Sequence, residues 1–343
     1  MKTKQIWTVI IVVLLFLLTG VSGVVSAHFN NKMAKEQTEH LQSTFSEMFG
    51  NVKKDKVKYP DKEFVARIDI VGTIMPSGSG TSYFTQATGG QYNHDLYMKT
   101  INDLIDNDKN KGILLYVNSP GGTVYESDEL YQKLMEYKEK TGRPIYAYFA
   151  SEACSGGYYI SMAADKIYAN RNCWTGSIGV IVSLTNYKEL MDKLGVKEID
   201  ITSGANKAMG SGGAELTDEQ EQILQSLVDE AYDQFTGIVA EGRDLPIATV
   251  KKLADGRIYS ANQALENKLV DSVMGEEEAL SSFKKDFGID DEEEFFVPGS
   301  DSITDIFGSL FGKASSLKEK SELELLKEMM NDNKNGELMY YAK

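Results

Sequence analysis

The chain has 343 residues, of which 42% are hydrophobic and 25% are charged, a balance typical of a folded protein with a substantial core. Acidic residues outnumber basic ones by 51 to 36, and the formal charge is -15, which argues against a nucleic-acid partner because phosphate binding needs a basic surface. Two cysteines, Cys154 and Cys173, are too few for a disulfide framework. We therefore expect one main folded unit with appendages, two buried thiols, no cofactor and no nucleic-acid partner.

The first element is an apolar stretch from 6 to 27 without a charged residue, preceded by Lys2 and Lys4. It is long enough to cross a bilayer, which takes about 20 apolar residues. The preceding lysines predict that the N-terminus is cytoplasmic and the bulk of the chain extracytoplasmic. We predict a tip and single-pass anchor in the cell membrane over 1–27. A removable signal peptide cleaved after Ala27 is the alternative.

Polar residues from 28 to 61 predict a juxtamembrane stalk. We next expect a strand over Phe64–Ile74 and a loop rich in Gly and Ser over Pro76–Gly90. A helix over Tyr92–Asp106 and a second buried strand over Gly112–Val117 are expected to follow.

A glycine turn over 118–124 then leads into a helix. The backbone N–H groups of Gly121 and Gly122 are unshielded by side chains, so they are able to point at a ligand oxygen. A plain Pro-Gly turn is the alternative for this stretch.

A third strand, from Ile145, ends in a tight turn that places Ser155 at the start of a helix reaching Ala164. Backbone N–H groups at a helix start have no partner inside the helix, so an anion formed on a reacting carbonyl is stabilised there. Ser155 is therefore a candidate nucleophile. A serine at this position also serves as a helix N-cap. From this pattern alone, Ser155 is therefore either a nucleophile or an N-cap.

Further strands and helices alternate along the chain, which predicts an α/β core with a mainly parallel sheet. Strands are expected over Lys166–Asn170, Thr175–Val182 and Val196–Thr202, and a helix over Tyr187–Leu194. After the loop 203–213, Thr217 and Gln220 predict a capping box at the start of a long helix. The expected buried stripe of this helix is Ile223, Leu224, Leu227, Val228, Ala231, Tyr232 and Phe235.

We expect the core to span 62–275 and an acidic helical extension to cover 276–343. Within this extension, a helix is predicted over Ser316–Met330, and the apolar tail 338–342 follows a polar spacer.

A serine nucleophile needs a base. The chain has three histidines, and His28 and His40 fall in the predicted stalk, which leaves His94 for a Ser-His-Asp triad. Lysine is the other choice, but an unperturbed lysine has a pKa near 10.4 and must be made neutral by burial away from carboxylates. Lys207 is the best candidate because the loop 203–213 contains no acidic residue.

Several ordered motifs resemble the signal peptide peptidase A family, membrane-anchored serine proteases of the Clp-protease/crotonase fold. The motifs are Ser119-Pro120-Gly121-Gly122, Ser155-Gly156-Gly157-Tyr158-Tyr159, Thr175-Gly176-Ser177-Ile178-Gly179-Val180, Lys207-Ala208-Met209-Gly210-Ser211 and the stretch from Gly256 to Asp271. The resemblance covers about Phe64 to Val273. Glu152 and Cys154 depart from the small residues that are more usual beside the serine.

The resemblance implies that Ser155 is the nucleophile, Lys207 is the general base and Ser177 orients the lysine. The N–H groups of Gly156 and of Gly122 or Gly121 would form the oxyanion hole. The family also implies a homo-oligomeric ring in which the lysine of one protomer serves the serine of its neighbour. Its implied substrates are remnant signal peptides and other apolar peptides in the membrane.

Three alternatives to this function remain. The first is a stomatin-associated membrane peptidase that uses the same Ser-Lys chemistry. The second is a crotonase-type acyl-CoA enzyme, which has the same fold but catalyses another reaction. The third is a membrane scaffold without catalytic activity. We further expect the apolar tail to bind in the chain's own peptide groove and to compete with substrate.

Overall fold

A computed structural model describes residues 59–77, 92–288 and 338–341. The predicted anchor, most of the stalk, most of the loop from Pro76 to Gly90 and the helix over Ser316–Met330 lie outside these residues. Among the residues described, no helix is both long and apolar enough to cross a membrane.

Strands and helices alternate along most of the described chain. In order they are β1 (Phe64–Val71), α1 (His94–Ile105), β2 (Asn110–Ser119), β3 (Gly121–Thr123), α2 (Val124–Thr141), β4 (Ile145–Cys154), α3 (Gly156–Ser161), β5 (Lys166–Ala169), β6 (Trp174–Gly176), β7 (Ile181–Val182), α4 (Lys188–Leu194), α5 (Asp218–Gly242), α6 (Ile247–Leu253), β8 (Ile258–Ser260), α7 (Ala261–Glu266), β9 (Ser272–Val273), α8 (Glu276–Phe287) and β10 (Leu338–Tyr341).

The main sheet has the order β1-β2-β4-β5-β9, and every neighbouring pair along this path is parallel. β6 joins β4 in parallel, and β8 adds an antiparallel edge to β6. The prediction of an α/β fold with a mainly parallel sheet is confirmed. One register row, Ile68–Leu115–Ala147–Ile167, runs across four strands through the core, where each of its residues is buried.

The two faces of this sheet are covered by different parts of the chain. One face packs against α1, α2, α3 and α5 and forms the larger hydrophobic core. The other face carries Tyr146 and Tyr168, whose rings each lie with their centroid 4.9 Å from that of Phe283 on α8. Both faces are apolar because parallel strands are normally buried on both sides. The helix that follows Gly275 therefore packs onto the sheet.

The sequence interpretation was wrong for the strand over Val196–Thr202. These residues form no regular element, and Ile199 and Ile201 are 80% and 97% exposed. Alternating apolar residues predicted a strand, but in the described part of the chain no neighbouring strand pairs with this segment. The predicted strand Thr175–Val182 is likewise two short strands, β6 and β7, because Gly176, the last residue of β6, and Ser177, which follows it, have positive φ angles.

Helix α5 begins with the predicted capping box, in which Thr217 and Gln220 bond each other's backbone N–H groups. Its predicted buried stripe was wrong in the first half of the helix. Ala231 and Phe235 are buried, whereas Leu227 is 43% exposed and the apolar residues before it are partly exposed. The first half of α5 does not pack into the core of its own chain, so its apolar side chains stay in contact with solvent.

A second, three-stranded sheet forms beside the main one. β10 lies between β3 and β7 and is antiparallel to both. Tyr340 faces Gly122 across one edge of β10, and Met339 faces Ile181 across the other edge. The apolar tail thus lies as an extended strand against the glycine turn.

Candidate active site

Ser155 lies at the sharp turn between β4 and α3. Its backbone angles, φ 52° and ψ −115°, fall in a region that residues with a side chain seldom adopt. Ser155 occupies the N-cap position of α3, but its side chain makes no capping hydrogen bond. The capping alternative therefore does not explain this serine. A strained serine between a strand and a helix is the geometry of a nucleophile elbow.

The backbone of Ser155 is held on both sides, while its hydroxyl is unpaired. Its N–H donates to the carbonyl oxygen of Gly176 at 2.7 Å, and its carbonyl accepts from the N–H of Tyr159 at 2.8 Å. The Oγ atom is buried and has no hydrogen-bond partner in the described chain. A buried hydroxyl without a hydrogen bond lowers the stability of the fold by about 1–3 kcal/mol. Such a group in a native structure calls for an explanation, and here the hydroxyl is free to react or to bind a ligand.

The glycine turn after β2 holds two N–H groups that differ in their partners. The N–H of Gly121 donates to the Oγ atom of Ser119 at 3.2 Å, so it is already engaged. The carbonyl of Gly121 accepts from the N–H of Ile74 at 2.8 Å, and the N–H of Thr123 donates to the carbonyl of Ile74 at 2.9 Å. Because successive residues of a strand direct their N–H and C=O groups to opposite sides, those of Gly122 face away from Ile74 and toward β10.

Gly122 and Gly156 lie together, and each position requires a glycine. A Cβ atom on Gly122 would lie 1.7 Å from the carbonyl oxygen of Ile74. A Cβ atom on Gly156 would lie 2.5 Å from Ser127 Oγ and 3.1 Å from the backbone nitrogen of Gly122. Gly156 is also the first residue of α3, so its N–H has no acceptor within the helix. Two backbone donors therefore lie beside the serine.

Ser177 follows Gly176, whose carbonyl holds the backbone of Ser155. It is buried with φ 48°, and its N–H donates to the carbonyl of Arg257 at 2.8 Å. Within the described residues its hydroxyl has no hydrogen-bond partner. Ser177 is thus fixed through its backbone near the nucleophile, and its side chain remains available.

Lys207 is not brought to Ser155 within one chain. It lies exposed in a loop of successive turns, where its N–H donates to the carbonyl of Gly204 at 3.2 Å. In the described ranges no ion pair involves Lys207, and no hydrogen bond joins it to Ser155 or Ser177. The burial that a neutral lysine base needs is not seen for Lys207 in a single chain.

Comparisons with known proteins place these features in a family. The family model described as Peptidase family S49 matches residues 137–290, and the model described as Clp protease matches residues 86–177. A protein of Enterococcus faecium provisionally named signal peptide peptidase SppA is 42% identical over 65% of this chain and 63% of its own length. A protein of Synechocystis sp. provisionally named as a protease is 39% identical over 65% of this chain and 74% of its own length.

The chain belongs to peptidase family S49. The sequence resemblance to signal peptide peptidase A is confirmed by these matches. Protease 4 of Haemophilus influenzae is 32% identical over 63% of this chain but only 34% of its own length. The match also spans less than two thirds of the E. faecium relative. The mainly parallel sheet agrees with the match to the Clp protease family model, so the α/β fold of the chain is Clp-protease-like.

The imidazole of His94 is engaged away from Ser155 in this S49 family member. Its Nδ1 atom lies 2.6 Å from Tyr92 Oη, and its Nε2 atom lies 2.8 Å from Glu129 Oε2. Both ring nitrogens are therefore engaged, and neither contacts Ser155. The imidazole instead connects the start of α1 with α2.

Two carboxyls and two thiols lie in the elements around the turn. Glu126 is the buried carboxyl among the described residues, and it accepts a hydrogen bond from Thr123 Oγ1. Burial raises the pKa of Glu152, which is half-buried on β4. Burial likewise raises the pKa of Cys154 and that of Cys173, the latter to about 12. Both thiols are free and buried as predicted, and a raised pKa makes each a poor nucleophile at neutral pH.

Three supporting residues were not assigned a role from the sequence. Ser119 accepts the N–H of Gly121 and donates to the carbonyl of Gly72 at 2.7 Å. Ser127 donates to the carbonyl of Thr123 at 2.7 Å and lies beneath Gly156. Ile74 pairs with Gly122 as an isolated parallel bridge. Ser119 was visible within the Ser-Pro-Gly-Gly motif, whereas no local signal marks Ser127 or Ile74.

Proposed function

We propose that this member of peptidase family S49 is a serine endopeptidase in which Ser155 is the nucleophile and Lys207 of a neighbouring copy is the general base. The observation that carries the proposal is the buried, unpaired hydroxyl of Ser155 on a strained turn. Backbone N–H groups of Gly156 and Gly122 lie beside it. This arrangement suits acyl transfer, in which charge develops on a carbonyl oxygen.

The reaction follows from these positions. Ser155 Oγ attacks the carbonyl carbon of the bound peptide and transfers its proton to the neutral amine of Lys207. The N–H groups of Gly156 and Gly122 stabilise the oxyanion, and Ser177 orients the lysine. The lysine then protonates the leaving amine as the peptide C–N bond breaks. Water hydrolyses the ester on Ser155, and the serine is regenerated.

An exposed apolar arm supports the assignment of Lys207 to a neighbouring copy. The arm, residues 183–216, includes Lys207 and carries several apolar side chains that are at least half exposed. They are Leu190, Leu194, Val196, Ile199 and Ile201. Exposed apolar side chains that are concentrated in one segment are a feature of protein interfaces. A second copy that covers the arm removes Lys207 from solvent and brings it to an interface between copies.

The substrate that fits this site is an extended apolar peptide. β3 and β7 accept a strand between them, so a peptide binds by adding a strand to these edges. Together with the anchor predicted over Ile6–Ala27, this favours peptides delivered from the membrane, such as remnant signal peptides. The ring assembly and extracytoplasmic location are part of the same proposal.

Active-site labelling tests this function. The purified protein is incubated with an acylating, serine-directed probe, and the modified peptide is identified by mass spectrometry. Wild type should carry the label on Ser155, and Lys207→Ala should be labelled far more slowly. Lys197→Ala, in the same exposed arm, is the matched control and should label at the wild-type rate. Full labelling of Lys207→Ala, or a label on another residue, would contradict the dyad.

A further inference from the structure

Helix α2 begins beside the proposed oxyanion site with a sequence that predicts a capping box. Thr123 is its N-cap residue and Glu126 is the third residue of the helix, a Thr-x-x-Glu pattern that normally gives two reciprocal hydrogen bonds between side chain and backbone. The same kind of pattern forms complete boxes at the starts of α5 and α7. At α2, however, the Thr123 side chain makes no capping hydrogen bond. The helix next to the active site therefore departs from its local pattern.

The groups of Thr123 that a capping box would use are bonded elsewhere. Its N–H, which a box would direct to the Glu126 carboxyl, donates to the carbonyl of Ile74 at 2.9 Å. Its hydroxyl, which a box would direct to the backbone N–H of Glu126, donates instead to Glu126 Oε2. Because an N-cap hydrogen bond stabilises a helix, this orientation of Thr123 is unfavourable for α2 alone. Departures from a local rule are expected at functional sites.

Glu126 is also unusual in its burial. It is 6% exposed, and it is the only carboxyl group that is buried among the residues described. Within these residues no basic side chain pairs with it, and its hydrogen-bond donor is the Thr123 hydroxyl. Burial of a carboxyl group away from a cation is unfavourable, and an apolar residue of similar volume would suit the core at least as well. Packing therefore does not account for a glutamate at this position, whereas its bond to Thr123 does.

Thr123 holds the chain directly after Gly122. Its N–H is bonded to Ile74, its carbonyl accepts from Ser127 Oγ at 2.7 Å, and its hydroxyl is bonded to Glu126. Every polar group of Thr123 is thus engaged. Gly122 carries no side chain that could fix its own peptide groups, so the direction of its N–H depends on the residues on either side of it. Glu126 is the side chain that fixes the hydroxyl of one of these residues.

We propose that Glu126 is a positioning residue of the active site, which acts through Thr123 to hold the N–H of Gly122 in the direction that stabilises the oxyanion. This inference rests on the proposed function, in which Gly122 supplies one of the two donors. The donor is needed most when charge has developed on the carbonyl oxygen, after Ser155 has attacked. Loss of the bond between Glu126 and Thr123 should therefore lower kcat and leave KM nearly unchanged.

Three variants of Glu126 separate its hydrogen bond from its charge and its packing. Glu126→Leu removes the acceptor, and Glu126→Asp keeps the carboxyl group but withdraws it from Thr123 by one methylene. Both should lower kcat for a reporter peptide about tenfold, less than the 10²–10³ of a lost oxyanion donor, and should change KM by less than about twofold. Glu126→Gln keeps an acceptor oxygen and should restore nearly the whole of kcat. Equal kcat in the Gln and Leu variants would overturn the inference.

A double-mutant cycle tests whether Glu126 acts through Thr123. Thr123→Val removes the hydroxyl with little change of shape and should lower kcat about as much as Glu126→Leu does. The double variant should lose no more kcat than either single variant, because both changes remove the same hydrogen bond. A loss in the double variant equal to the product of the two single losses would show that the residues act independently, which would overturn the inference.

Thermal unfolding distinguishes positioning from a general effect on stability. Gln263→Ala, which removes half of the capping box at α7, is the matched control and should lower Tm while kcat stays normal. A fall of kcat in this control as large as that in Glu126→Leu would assign the effect to destabilisation and contradict the inference. Glu126→Asp and Thr123→Val supply the same comparison where Glu126→Leu does not fold.

The reporter assay on wild type separates this inference from the proposed function. Wild type that neither cleaves the reporter nor labels at Ser155 contradicts the proposed function. Active wild type together with normal kcat in Glu126→Leu and Glu126→Asp contradicts the role of Glu126 alone. The expected result is active wild type, a similar fall of kcat in both of these variants and near-normal kcat in Glu126→Gln.

Discussion

The backbone N–H of Ser155 donates a 2.7 Å hydrogen bond to the carbonyl oxygen of Gly176. This bond joins the turn after β4 to the end of β6, which lies beside β4 in the sheet. Ser177 follows Gly176 directly, so the position of the proposed nucleophile is coupled to that of the residue proposed to orient the base. Both serines have positive φ angles, 52° and 48°, so each turn contains a residue in a conformation that residues with a side chain seldom adopt.

The strain at Ser155 predicts opposite effects on stability and activity. Ser155→Gly should abolish peptide cleavage and raise the free energy of unfolding by up to about 1–2 kcal/mol, because glycine adopts this backbone conformation without steric cost. Ser155→Ala should abolish cleavage but be less stable than Ser155→Gly, since both variants remove the unpaired hydroxyl and only alanine keeps the strained Cβ atom. Urea denaturation of the three proteins measures the difference. Equal stability of the glycine and alanine variants would contradict strain at this turn.

A methyl group at Gly156 should disrupt the oxyanion site. In Gly156→Ala the new Cβ atom would lie 2.5 Å from Ser127 Oγ and 3.1 Å from the nitrogen of Gly122. We expect kcat to fall by about 10²–10³, the usual effect of losing one oxyanion donor. Gly237→Ala is the control, because a Cβ atom there meets nothing within 4 Å. Steady-state kinetics on a reporter peptide should show normal kcat in the control, and normal kcat in Gly156→Ala would rule out this site.

The raised pKa of Glu152 predicts a pH-dependent stability difference. Burial raises the pKa of this carboxyl, so the folded protein binds its proton more tightly than the unfolded chain does. The resulting stability is fully present below the unfolded pKa, about 4.3, and is lost as pH rises through the folded value. Glu152→Gln should therefore have a higher Tm than wild type at pH 7, and the difference should vanish toward pH 4, about the unfolded pKa.

Glu136 provides a control of opposite sign for this pH effect. Hydrogen bonds from Lys133 and Lys140 lower the pKa of its carboxyl to about 2. Glu136→Gln should therefore lower Tm at pH 7, and the loss should shrink as pH falls toward 2. Calorimetric scans across this pH range measure both variants. A Tm difference for Glu152→Gln that does not change with pH would contradict the burial effect.

A charge in the exposed arm should prevent association of the copies. Ile201 is 97% exposed in one chain, so Ile201→Asp places a carboxylate at the proposed interface without disturbing the core. Analytical ultracentrifugation should show a shift to smaller species together with loss of cleavage. Ile247→Asp, at a 45% exposed position on α6, is the matched control. Unchanged sedimentation of Ile201→Asp would exclude this part of the arm from the interface.

Local sequence patterns predicted the elements that depend on near neighbours. Ser155 at the end of β4, the Thr217 and Gln220 capping box and the buried thiols follow from turn chemistry, spacing and apolarity. The choice of Gly122 over Gly121 was left open, because it depends on the Ser119 hydroxyl and on Ile74, which is 47 or 48 positions away in the sequence.

Long-range contacts explain the predictions that failed. The apolar residues of Val196–Thr202 and of the first half of α5 were assigned to a strand and a buried stripe, respectively. Apolar periodicity predicts that one face of a segment is buried. It does not tell whether the same chain or a second copy buries that face. The exposed apolar side chains of Val196–Thr202 and of the first half of α5 are consistent with burial against a neighbouring copy.

Co-expression of Ser155→Ala with Lys207→Ala tests most directly whether the dyad forms between copies. Neither variant should cleave a reporter peptide alone. In mixed oligomers, a site with Ser155 from one variant and Lys207 from the other is complete, and about a quarter of sites in a random equal mixture of a head-to-tail ring meet this condition. Activity near a quarter of wild type is the predicted result. Mixed oligomers that remain inactive would contradict a base supplied by the neighbouring copy.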